Sequence, residues 1–193
     1  PENATLRLLY AMYLVRFDLP GRAVGILEGA DESIDVRDRE MFYFVLGNAY
    51  GRMMNYQEAA EALRKALEIE PDNYEAARLL GFTLMQLGRY SDALGMLGRA
   101  ERGLPDNPRL LEDKAMAHAN LKEFGLARKY FEKVLTIAPA ARIYANYALT
   151  FAAEGDYAKA RAWMSKVLSA RDLDEELKRE CLQFLRTWPD NPE

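Results

Sequence analysis

A chain of 193 residues that is 50% apolar and 29% charged, with a net charge of −4, has the composition of a folded soluble protein, not a disordered one. That charge gives no general footprint for nucleic acid or an anionic membrane, no apolar run of about eighteen residues is available to span a bilayer, and a single cysteine, Cys181, excludes an internal disulfide. The first residue is Pro1, not Met, so the compartment stays open between cytoplasm and periplasm, with any signal or anchor lying outside these residues.

The first predicted element, "ATLRLLYAMYLVRF" from Ala4, is a helix carrying Leu6, Leu8, Leu9, Tyr10, Met12, Tyr13, Leu14, Val15 and Phe17, apolar on nearly all sides. Tyr10, Ala11 and Leu14 form its seam, a second stripe follows at Ala23, Leu27 and Ala30, and a polar loop "DESIDVRD" comes next. From Glu40 the pattern sharpens. Tyr43, Leu46, Gly47 and Tyr50 stand at i, i+3, i+4, i+7, the signature of an amphipathic helix. Ala59, Leu63 and Ala66 mark a second helix, with a turn at "GRMMNY" between the two and Pro71 behind them. The scheme restarts at Tyr74 with Ala77, Leu80, Gly81 and Leu84, then Ala93, Leu97, Ala100 and Pro105. It restarts again at Pro108 with Leu111, Lys114, Ala115 and His118, then Ala127, Phe131, Val134 and Pro139. From Ala141 it gives Tyr144, Tyr147, Ala148 and Phe151, then Ala160, Met164 and Val167, with Asp172 in the place of the proline. A last amphipathic stretch, "LDEELKRECLQFLRTW", sets Leu177, Cys181, Phe184, Leu185 and Trp188 on one face and reads as a closing helix.

Pro71 and Pro105 are 34 residues apart, each followed by Asp-Asn. A proline cannot continue a helix interior and pushes the residue before it towards extended geometry, while Asp or Asn behind it can cap the next helix. The small residue at the eighth position of each unit lets two helix backbones approach closely, so Gly81 is expected against the second helix of its own unit near Ala93. The organisation expected is five helix pairs at about 4–37, 40–73, 74–107, 108–140 and 141–174, a capping helix at 175–188 and a tail at 189–193.

The spacing Tyr43-x2-Leu46-Gly47-x2-Tyr50, then Ala59-x3-Leu63, Ala66 and Pro71, resembles the tetratricopeptide repeat. The resemblance runs from roughly residue 4 to residue 174 and departs from the family at Tyr43 (Trp preferred), Lys114 (Leu) and Asp172 (Pro). It implies an all-α fold, a right-handed superhelical solenoid of antiparallel helix pairs. It also implies that the first helix of each pair lines a concave binding face.

Catalytic chemistry finds little support, and no enzyme is expected. His118 is the only histidine and falls on a packed seam, Cys181 falls on an apolar face, and one of each gives no transition-metal site. No phosphate-binding glycine motif is present, so no cofactor is expected. The face open for binding is turned about 100° from the packed stripe. It carries Met12 and Arg16, then Phe44, Asn48 and Arg52, then Arg78, Phe82 and Met85, then Arg109, Glu112 and Met116. Thioethers and aromatics edged by guanidinium groups suit a protein or peptide partner that is partly apolar and partly acidic. Asn48 matches one residue of the carboxylate clamp found in some members of the family, but Phe44 and Leu79 stand where its Lys and second Asn belong, so that clamp is incomplete. The alternative function is structural assembly: self-association through the apolar first helix, or membership of a longer array such as those of bacterial secretion or pilus assembly.

Overall fold

The computed structural model of the chain describes residues 4–29, 35–36 and 38–189. Ala30, most of the "DESIDVRD" loop and all of the tail but Pro189 lie outside the described residues. Among the described residues there are eleven helices and no strand. They are α1 (Ala4–Arg16), α2 (Pro20–Leu27), α3 (Arg39–Arg52), α4 (Tyr56–Ile69), α5 (Tyr74–Gln86), α6 (Tyr90–Glu101), α7 (Pro108–Asn120), α8 (Phe124–Ile137), α9 (Ala141–Glu154), α10 (Tyr157–Leu168) and α11 (Glu175–Thr187). The chain forms two compact units, Pro1–Pro105 with α1–α6 and Asp106–Glu193 with α7–α11. None of these helices is long and apolar enough to cross a membrane.

Within each pair a tight turn reverses the chain by one recurring device. A residue in the left-handed region ends the first helix: Asp18, Met54, Gly88, Lys122 or Gly155. The amide after it reaches back to a carbonyl five residues earlier: Leu19 to Leu14 at 2.9 Å, Asn55 to Tyr50 at 3.0 Å, Arg89 to Leu84, Glu123 to His118 and Asp156 to Phe151, each at 2.9 Å. This closure satisfies carbonyls that the helix end would otherwise orphan. Glycine meets the positive φ freely at Gly88 and Gly155; at the other three turns a residue with a Cβ adopts it.

Between pairs the asparagines of the "PDN" motif do the capping. Asn73 Oδ1 accepts the Ala76 amide at 2.8 Å. Asn107 Oδ1 accepts the Arg109 and Leu110 amides at 3.0 and 3.2 Å. Where the proline is lost, Asp172 has another use. Its two carboxylate oxygens accept the Ala141 amide at 3.1 and 3.0 Å, so a turn 31 residues downstream caps the start of α9.

The small buried residue of each first helix sets a register: Ala11, Gly47, Gly81, Ala115 and Ala148. At Gly81 a Cβ would lie 2.6 Å from Leu97 Cγ and 3.3 Å from the Ala93 carbonyl, and at Gly47 it would lie 2.6 Å from Leu63 Cγ. The expected close approach of the two helices is therefore present. A second stripe, not anticipated from the sequence, lies five residues before and two after each small residue. Phe42 and Ala49, Ala76 and Thr83, Leu110 and Ala117, and Ile143 and Thr150 are all buried. In the first unit Phe42, Val45 and Ala49 join one core with Leu8, Ala11 and Val15 of α1. On α1 itself the same places hold Leu6 and Tyr13, which are 62% and 54% exposed, with Leu9 between them at 55%. Along this open face the Tyr10 and Tyr13 rings stack and the Phe17 ring lies tilted against Tyr13. On α11, where Cys181 takes the small-residue place, the matching positions are Glu176 and Gln183, both exposed.

Candidate partner-binding face

In the first unit the predicted stripe lies on α1, α3 and α5. Met12 and Arg16 are exposed, and Phe44, Asn48 and Phe82 are half-buried. Phe44 packs on the core that joins α1, α2 and α3. Met85 is buried and belongs to the packing, not to an open strip. Two of the arginines already hold carboxylates of their own unit: Arg52 Nη1 pairs with Asp18 at 2.9 Å, and Arg78 Nε pairs with Glu75 one helical turn away at 3.0 Å. Arg16 makes no ion pair among the described residues.

In the second unit the stripe lies on α7 and α9. Arg109 is exposed and Met116 half-buried against the core that joins α7, α8 and α9. Glu112, expected to face a partner, lies instead beneath α9. Its side chain is 8% exposed, and Arg142, itself 66% exposed, covers it with Nη1 at 2.5 Å from Oε1. Asn146 Nδ2 donates to the same oxygen at 3.0 Å. Burial raises the Glu112 carboxyl above the ordinary carboxylate value, and Arg142 and Asn146 work against that rise. The pair thus joins α7 to α9 from residues 30 apart in sequence, which no local pattern could reveal.

Two open cavities follow the same face of the second unit and share Asn146 and Leu149. One, of about 210 Å³, opens beside Met116 and Asn120. The other, of about 300 Å³, is walled by α9, Met164 of α10 and the first three turns of α11. Sequence reading named neither Asn146 nor the α11 wall. The signal available was Glu176, a charge at a register place that is apolar on α3, α5, α7 and α9.

The other chemistry-bearing side chains serve packing and turns. His118 stacks on Tyr130 at 5.5 Å and its Nδ1 lies 2.6 Å from Glu123 Oε2 across the α7–α8 turn. Lys114, buried where the repeat favours leucine, holds Nζ 4.5 Å from the centre of the Tyr130 ring. Cys181 is buried, and burial first, then the charge of Glu180, push its thiol up. Among the described residues no group of three or more His, Cys, Asp or Glu side chains could hold a metal ion.

Profiles of the tetratricopeptide repeat match residues 53–118, 108–140 and 141–172, together covering 53–172. The bacteriophage adsorption protein A of Escherichia coli is 29% identical over 117 residues, which is 61% of this chain and 12% of that protein. The BBSome complex member BBS4 homolog of Drosophila melanogaster is 40% identical over 63 residues, which is 33% of this chain and 13% of that protein. The chain therefore spans about an eighth of the length of either curated relative. Among solved structures, MamA from Desulfovibrio magneticus superposes with a TM-score of 0.76 at 19% identity, over 93% of this chain and 97% of that one. YrrB, described as a TPR protein with an unusual peptide-binding site, superposes with a TM-score of 0.74 at 24% identity, over 93% and 90%. The helix pairs, their register and these matches agree, and the chain belongs to the tetratricopeptide repeat family.

Proposed function

We propose that this chain, a repeat scaffold for protein–protein contact, holds an extended or helical peptide segment of a partner along the open stripe of its first helices. The observation that carries this reading is the large apolar side chains left incompletely buried on those helices, Met12, Phe44 and Phe82 in the first unit and Met116 in the second. Soft thioethers and aromatic rings adapt to a partner's apolar anchors at low cost. The peptide-binding site ascribed to YrrB, which shares the fold, favours the same use of it. Acidic groups of the partner meet Arg16 and Arg109, whereas Arg52, Arg78 and Arg142 are engaged within their own units.

A binder selected from a random peptide library on the full chain tests this. Phe82→Ala is expected to weaken it about tenfold, the cost of truncating a buried anchor. Arg16→Ala is expected to lower affinity less and to flatten its salt dependence, because exposed charges act mainly on encounter. Binding that survives both changes at every salt concentration would remove the stripe from consideration.

A second reading, self-association, is favoured by Leu6 and Tyr13, which are exposed at places where α3, α5, α7 and α9 bury their residues, and by Leu9, exposed between them. Sedimentation across a concentration series is expected to show a dimer that Leu9→Glu with Tyr13→Glu returns to monomer. A strict monomer at high concentration would end that reading.

A further inference from the structure

The charge of the cavity between α9 and α11 does not match the acidic partner that the arginines call for. Its floor is apolar: Ala145 and Leu149 of α9, Met164 of α10, and Leu177 and Phe184 of α11. Its mouth carries three carboxylates, Asp174 at the cap of α11 and Glu176 and Glu180 on it, against one cation, Arg142. That cation is committed to Glu112 at 2.5 Å. Asp174 is partly engaged as well, since Oδ1 accepts the Leu177 amide at 2.7 Å to cap α11. Glu176 and Glu180 remain, one helical turn apart, exposed, and without an ion pair among the described residues. The charge of Glu180 is felt by the Cys181 thiol in the cavity wall.

The register explains why the cavity exists. Five residues before the small buried residue, α3, α5, α7 and α9 carry Phe42, Ala76, Leu110 and Ile143, all buried. At that place α11 carries Glu176, whose carboxylate stays in solvent instead of filling the gap beside α9. An apolar hollow with two free carboxylates at its lip is matched by a side chain that fills the hollow and a cation that reaches the lip.

We propose that this cavity receives an apolar side chain of a partner peptide flanked by lysine or arginine, the base lying against Glu176 and Glu180. The proposal rests on the peptide-holding reading above and assigns this cavity a basic partner group, where Arg16 and Arg109 take acidic ones.

The test uses the full chain and three short fluorescein-labelled peptides with a central leucine, flanked by lysines, by serines or by glutamates. Binding is followed by anisotropy and placed by amide chemical shifts. The lysine-flanked peptide is expected to bind tightest and to shift amides of α9 and α11. The Glu176→Gln, Glu180→Gln double variant, which alters only exposed side chains, is expected to weaken it about fivefold, the worth of two exposed ion pairs, and to reduce its salt dependence. Replacing the peptide's leucine with alanine should weaken it further. Equal affinity for lysine- and glutamate-flanked peptides, or no change in the double variant, overturns the proposal. A glutamate-flanked peptide that shifts α3 and α5 but not α9 or α11 overturns it while leaving the stripe reading standing. Binding by none of the three overturns both.

Discussion

Replacing Gly81 with leucine is expected to cost stability at the upper end of roughly 1–3 kcal/mol, the range for overpacking a tight core. The first atom added already collides: a Cβ there sits 2.6 Å from Leu97 Cγ and 2.7 Å from Leu97 Cδ2. Leu97 is fully buried and has nowhere to retreat. Gly47→Leu meets Leu63 at the same 2.6 Å and should behave alike. Gly95, inside α6 with open space around its Cβ, is the control. Gly95→Ala should be neutral or stabilising by up to about 1 kcal/mol, because alanine favours a helix interior over glycine. Urea unfolding of the three variants decides the matter. A Gly81→Leu protein as stable as the parent would show that α5 and α6 do not meet at this point.

Arg142→Ala is expected to destabilise the second unit by about 1–3 kcal/mol near neutral pH, the cost of leaving a buried charged acceptor short of its partner. Asn146 alone would then face the Glu112 carboxylate. The loss should depend on pH in a definite direction. Burial already holds the Glu112 pKa above the ordinary value, and Arg142 opposes that rise, so removing the arginine raises it further. The folded variant then takes up a proton more readily than the unfolded chain, and its stability falls as pH climbs from the unfolded carboxylate value through the raised one. Acidification should therefore close the gap between variant and parent, since a protonated Glu112 no longer needs the guanidinium. Adding Glu112→Gln to the variant should recover stability at neutral pH. Denaturant curves at about pH 7 and about pH 4, on either side of this titration, test it. An equal loss at both would mean that the Glu112 charge is not what Arg142 serves.

The parts of this architecture legible from sequence are those fixed within one pair. Gly81 against the next helix and the cap at Asn73 each depend on residues a few turns apart. The rest depends on neighbouring pairs. Phe42, Ala76, Leu110 and Ile143 share a burial place but not a size, so no single residue type announces the stripe. Glu112 looked solvent-facing because its partners, Arg142 and Asn146, lie 30 and 34 residues away. Asp172 looked like a lost proline, and its carboxylate was free to cap α9 instead. Met54 and Lys122 adopt positive φ with side chains that give no hint of it, because closure of the pair imposes the turn.

The open face of α1 also constrains any assembly built on it. Symmetry offers two ways for identical copies to use such a patch. In a head-to-tail arrangement the α1 face would have to settle on a different surface of the next copy. On α11, for one, Glu175, Arg179 and Arg186 are exposed beside Leu182 and Phe184, and burying those charges against Leu6, Leu9 and Tyr13 would leave them without solvent or partners. In a two-fold arrangement each α1 face meets its own copy, apolar against apolar, and nothing of the patch is left over to recruit a third chain. A pairing of that two-fold kind would be self-terminating, closing at two copies with no α1 surface left for a filament.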